Sequence, residues 1–118
     1  MSLTIADRMR ESRRFKRTIS GFHFILRRPT DVEALRLHRT STDFSDIARE
    51  FVCGWEGVTE NDVIGGGGSD PIPYDAATWA EWCADRPDMW TDIATAVLDA
   101  YKAHSDILER SSKNSPPG

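Results

Sequence analysis

The stretch RFKRTISGFHFILRR, Arg14–Arg28, decides the fold. Phe15, Arg17 and Ile19 alternate with polar residues, Ser20-Gly21 is a turn signal, and Phe22, Phe24 and Leu26 alternate with His23, Ile25 and Arg27. A period of two in aromatic and β-branched residues marks half-buried strands, and two such runs joined by Ser-Gly predict a β-hairpin. An isolated hairpin is marginal in water, so it needs a surface to lie on. The segments downstream are helical in pattern and supply that surface. The predicted class is therefore α+β: a mainly helical single domain with an N-terminal β-hairpin over residues 14–28 packed on about four helices.

Arg28-Pro29-Thr30-Asp31 bounds the hairpin, because the residue before a proline is pushed to an extended conformation. Thr30 and Glu33 have the capping-box spacing, which starts a helix that runs to about Arg39 with Val32, Leu35 and Ala34 inward. A second helix, capped by Thr42, has Phe44, Ile47, Ala48, Phe51, Val52 and Trp55 on one face and is ended by Gly54. Residues 54–74 read as a loop made flexible by Gly65–Gly68, with short extended pieces at Trp55–Val58 and Pro71–Tyr74. Asp75 caps a third helix, with Tyr74 and Trp79 at the positions of a hydrophobic staple. Pro87 opens the last helix, whose stripe of Trp90, Ile93, Ala94, Val97, Leu98, Tyr101 and Leu108 fades near Arg110. The expected core comprises Leu35, Phe44, Ile47, Phe51, Trp79, Trp82, Trp90, Ile93, Val97 and Tyr101. Residues 1–13 read as flexible or as a short helix, residues 14–110 as the domain, and residues 111–118 as a disordered Ser/Pro/Gly tail.

A chain of 118 residues suits one domain. With 39% hydrophobic residues and a mean hydropathy of -0.49, it has the balance of a soluble protein. It has no apolar run long enough to span a membrane and no apolar N-terminal stretch of signal-peptide length, so a cytosolic location is expected. Cys53 and Cys83 then read as free thiols. The net charge of -4 conceals an asymmetry. Residues 1–39 carry ten Lys and Arg against four Asp and Glu, and the remainder carries five against fifteen. The basic half is expected to pack beside the acidic half of the same fold.

No motif supplies a catalytic or cofactor constellation. The glycine run is followed by Ser69-Asp70, whereas a phosphate loop needs a lysine there. Glu60, Asn61, Asp62 and Asp70 lack the order of a calcium loop. His23, His38 and His104 fall in separate elements, without zinc-ligand spacing. The basic stretch Arg8–Arg17, with Arg27 and Arg28, suggests nucleic acid, but a pI near 5.3 argues against a dedicated DNA-binding module. Trp79, Trp82 and Trp90 belong on helix faces in the core, with one tryptophan expected half-exposed at a binding groove.

The segment Val52-Cys-Gly-Trp-Glu-Gly-Val58 resembles the Trp-Glu-Gly-Val segment of siphophage and prophage tail assembly chaperones, in their short, non-frameshifted form. The acidic glycine loop after it, the Pro71-Ile-Pro-Tyr74 step into a helix, the break at Asp85-Arg-Pro87 and the upstream Arg27–Asp31 boundary are also similar. The likeness covers most of residues 15–105. The Gly65–Gly68 run is longer than that pattern. The resemblance implies a non-enzymatic protein of the host bacterial cytoplasm, without metal or cofactor. It would bind the tape measure protein, assist assembly of the major tail tube protein around it, and leave before the virion is complete. Members of the family are often made in two forms, the longer by a ribosomal frameshift near the end of the short gene. The readings from other classes are a small phage DNA-binding or regulatory protein and a structural tail or head–tail component. The motif and interaction residues singled out are Trp55, Glu56, Gly57, Val58, Pro73, Tyr74, Trp79 and Trp82, with Trp55 expected to anchor the loop onto the domain. Self-association, with basic and acidic halves of neighbouring copies meeting, is a further expectation.

Overall fold

The computed structural model describes residues 3–113. Its fold is α+β, with a three-stranded antiparallel sheet at the N-terminal end packed against helices. After helix α1 (Ile5–Ser12) come strands β1 (Arg14–Ile19) and β2 (Phe22–Arg27). Ser20 and Gly21 both have positive φ, 53° and 84°, as a two-residue turn matched to the strand twist requires. The register runs from Arg14 opposite Arg27 to Ile19 opposite Phe22. Helices α2 (Asp31–Arg39) and α3 (Phe44–Phe51) follow, then strand β3 (Val52–Glu56), the single turn α4 (Glu60–Val63), and helices α5 (Ala76–Ala84) and α6 (Pro87–Lys113).

The local signals act as their chemistry dictates. Thr30 accepts from the Glu33 amide while Glu33 accepts from the Thr30 amide, a complete capping box. Asp75 accepts from the Thr78 amide at the start of α5. Thr4 with Asp7 makes the same box at α1, a helix that buries no residue. Cys53 and Cys83 are free thiols.

Several elements depart from the sequence reading. The second helix stops at Phe51, and Val52–Glu56 becomes the strand that pairs with β2, Phe24 lying opposite Trp55. A register shift between Ile25 and Leu26 leaves Cys53 as the extra residue, since Ile25 faces Gly54 and Leu26 faces Val52. That bulge turns both Val52 and Trp55 into the core although they are three residues apart. Asp43, not Thr42, occupies the N-cap of α3, because the Thr42 hydroxyl is paired with that of Thr40 at 2.6 Å. Residues 59–68 are not an open loop. Thr59 and Asp62 form a capping box for α4, and the glycine run folds back on it through Gly67 N–H to Ile64 O and Asn61 N–H to Gly68 O. A Cβ on Gly67 would stand 2.7 Å from Glu60 Cγ and 3.1 Å from the Glu60 carbonyl carbon, so a larger residue would have to displace the Glu60 side chain. Helix α6 continues to Lys113, past the expected fade at Arg110. The rest of the expected tail, 114–118, lies outside the described residues.

The core joins Phe24 and Leu26 of the sheet, Ile47, Ala48 and Phe51 of α3, Trp79 and Trp82 of α5, and Met89, Ile93 and Val97 of α6. Phe24 packs on Trp79 at 5.2 Å, and Trp79 meets Trp82 edge-on at 5.7 Å. The Trp79 indole N–H donates to the Ala48 carbonyl at 3.0 Å in the buried interior. Of the remaining expected core residues, Trp90 and Tyr101 are half-buried, and Leu35 and Phe44 are exposed. Replacing Trp79 with Phe keeps an aromatic ring but orphans that carbonyl and leaves a void. The expected loss is about 2–4 kcal/mol of unfolding free energy in urea titration. A loss under half of that would show that the indole bond does not hold α5 to α3.

A candidate helix-binding groove

The eight residues singled out by sequence come together, but mostly as packing. Trp55 is 7% exposed, and its indole N–H donates to the Ile72 carbonyl at 3.0 Å. Its ring meets Tyr74 at 4.9 Å and Trp82 at 5.9 Å, edge-on in both cases. The Tyr74 hydroxyl donates to the Val52 carbonyl at 3.0 Å, and burial raises its pKa. Val58, Trp79 and Trp82 are buried, and Val58 O accepts from the Ile72 amide. Only Glu56, Gly57 and Pro73 are exposed. Glu56 pairs with Lys16 at 2.7 Å, and Gly57 has a φ of +75° at the turn out of β3. This constellation fastens residues 57–74 to the sheet and α5.

The apolar surface open to a partner lies elsewhere, between α2, α3 and α6. Pro29, Ala34, Leu35, Leu37, Phe44, Ile47, Leu98 and Tyr101 line a groove of about 620 Å³, with Asp31, His38 and Thr42 at its polar margins. Leu35 is 49% exposed and Phe44 47%. Both were expected in the core, since each stands at an apolar helical position. They are uncovered because α2 is clamped by polar contacts and no residue of it is buried. Arg27 Nη1 binds Glu33 Oε1 at 2.8 Å, the Arg36 guanidinium pairs with Glu50, and the Tyr101 hydroxyl donates to Asp31 Oδ1 at 2.9 Å. That last bond holds the Tyr101 pKa above its ordinary value. Helix α2 is thus propped beside α3 and α6 with its apolar side unfilled. The signal for this in the sequence was the pair of acids and arginines flanking α2, whose partners are visible only in three dimensions. Among the described residues no group of His, Cys, Asp and Glu side chains is gathered for a metal ion, and no helix is long and apolar enough to cross a membrane.

Glu33 belongs to this clamp. Burial pushes its carboxyl up, but hydrogen bonds from the Arg27 guanidinium and the Thr30 amide outweigh it, with the Arg27 charge, and hold the group below its ordinary value. The folded chain therefore binds this proton less readily than the unfolded chain. The stabilisation is complete above the ordinary glutamate value, about 4.3, and is lost as pH falls through the lower folded value. Wild-type stability in urea should fall more steeply below about pH 4.5 than that of Glu33→Gln, which keeps a side-chain acceptor without the titration. Parallel curves for the two proteins would remove Glu33 from the acid response. No family model, curated protein or solved structure matches the chain.

Proposed function

We propose that this chain acts by binding, and that the groove between α2, α3 and α6 seats the apolar face of a helix from a partner protein. The observation that carries this is the convergence of Leu35, Phe44 and Leu98, all exposed, on one groove walled by three helices. A fourth helix laid there would bury the three side chains, as an amphipathic helix does in an apolar groove. The likeness of residues 15–105 to tail assembly chaperones supports the tape measure protein as that partner, with the major tail tube protein engaged during assembly in the host bacterial cytoplasm. Many weak sites along a long helical partner give strong overall attachment without tight individual binding. A chaperone that must later be displaced needs that combination.

Leu35→Asp and Phe44→Asp test the groove directly. Both positions are half open to solvent, so thermal midpoints should move by only a few degrees, roughly the effect of a surface change. Binding to peptides from the helical repeats of the cognate tape measure protein should weaken at least about tenfold in calorimetric titration. Co-expression should solubilise that protein with the wild-type chain and not with either variant. Unchanged binding by both variants would overturn the groove as the site. A tape measure protein no more soluble with the wild-type chain than without it would overturn the chaperone reading.

A further inference from the structure

The sheet runs β1-β2-β3, so β1 and β3 are its edges. Residues 72–74 lie against β3, where the Trp55 indole donates to the Ile72 carbonyl and the Tyr74 hydroxyl donates to the Val52 carbonyl. Strand β1 has no such neighbour. The two-residue turn after Ile19 makes Ile19 and Phe22 a hydrogen-bonded pair, and the alternation then aims the backbone groups of Arg14, Lys16 and Thr18 away from β2. The Arg28 amide, donating to the Arg13 carbonyl, continues the same phase. On the open side the Lys16 carbonyl takes the Arg17 guanidinium at 3.0 Å. Among the described residues no backbone group from outside the sheet bonds to Arg14, Lys16 or Thr18. Beside this edge, between β1 and α6, lies a cleft of about 410 Å³. Arg13, Arg14, Arg17 and Arg28 line one side of it, and Ala103 and Ile107 of α6 the other. The ion pairs of the described residues include none of these four arginines. Burial and the nearby charge of Arg13 lower the Arg28 pKa, with Asp31 opposing, and Asp31 is itself held by the Tyr101 hydroxyl.

We propose that this edge receives an extended, acidic segment of a partner protein as a fourth strand of the sheet. The amides and carbonyls of that segment meet those that β1 turns outward, as a peptide does when it augments an exposed edge. Its carboxylates meet the guanidinium groups, whose planar forks match them. The apolar side chains alternating with them rest on Ala103 and Ile107, where the alanine leaves room. Charge selects this occupant. Arg14, Lys16 and Arg17 place cations along one short strand, so β1 of a second copy would set like charges opposite each other. An acidic strand turns the same guard into an attraction. Residues 1–2 and 114–118 contain no Asp or Glu, so they do not supply the carboxylates. Nucleic acid fits less well, because phosphates accept hydrogen bonds and offer no donor to the outward carbonyls of Arg14 and Thr18. The Phe15 ring, which would stack a base, has the Arg17 guanidinium over its face at 4.9 Å. This proposal does not depend on the groove between α2, α3 and α6.

The probe is a capped peptide of about ten residues alternating Glu and Val, added at low salt to the whole chain labelled for amide NMR. It should bind with a dissociation constant below about 1 mM and weaken as salt is added. With free peptide at about ten times that constant, the amides of Arg14, Lys16 and Thr18 should exchange with solvent about tenfold more slowly. Arg14→Glu and Arg17→Glu, both at exposed positions, should weaken this peptide at least about tenfold, stay folded by circular dichroism, and gain binding to the matching Lys and Val peptide. Leu35→Asp should bind the acidic peptide as the wild type does, which separates this edge from the groove. Absence of binding at about 1 mM peptide overturns the proposal. So does binding that leaves the β1 amides unprotected, equal binding of the Lys and Val peptide by the wild type, or tighter binding of single-stranded DNA of the same charge.

Discussion

The fold depends on how helix α3 is allowed to end. Phe51 is its last residue and Val52 is already a strand, with no loop between them. A helix that stops this way leaves its final carbonyls without amide partners four residues on, and these lie in the core, where water cannot satisfy them. The Trp79 indole answers the Ala48 carbonyl at 3.0 Å, and the Tyr74 hydroxyl answers that of Val52, also at 3.0 Å. At the other end of α5 the Trp90 indole answers the Cys83 carbonyl at 2.7 Å. Each aromatic group therefore fills apolar space with its ring and closes a backbone end with its polar edge. For Trp79 and Trp90 that double duty fixes α5 against α3 and α6, and with it the sheet that rests on them.

Signals carried by neighbouring residues were legible in the sequence. The hairpin, the capping box at Thr30, the N-cap at Asp75, and Pro87 at the start of α6 all depend on residues within a few positions of each other. Strand β3 was hidden by its own bulge. Val52 and Trp55 are three apart, a helical spacing, and only an extra residue at Cys53 lets a strand point both inward. The three-residue spacing is thus common to a helix face and a bulged strand, and the partner strand β2 decides between them. Leu35 and Phe44 illustrate the same limit at the candidate site. Their positions within α2 and α3 say which way they point, but whether anything faces them depends on how far α2 stands from α6. The polar contacts that set that distance reach across 14 residues at Arg36–Glu50 and 70 at Tyr101–Asp31.

The charge asymmetry along the chain has two fates. Part of it is consumed within the fold, where Lys16 meets Glu56 and both Arg27 and Arg36 approach Glu50, joining the basic and acidic halves. These pairs are partly exposed and individually weak, so their importance is positional. They hold α2 and the sheet edge in place without requiring apolar contact. The arginines facing α6 form the other part, concentrated beside a row of small apolar side chains.

This division separates stability from recognition. The aromatic core and its hydrogen bonds involve α3, α5, the sheet and the first three turns of α6, while the exposed apolar side chains of the groove belong to α2, the start of α3 and Leu98 of α6. A protein whose binding surface also held its core together would lose structure whenever its partner left. Here Leu35, Phe44 and Leu98 are already in water in the free chain, so releasing a partner restores the starting state and costs only the burial gained on binding, about 25 cal/mol per Å² of apolar area before the entropy of association is subtracted. Modest affinity and full reversibility follow from the same arrangement for any helix seated in this groove.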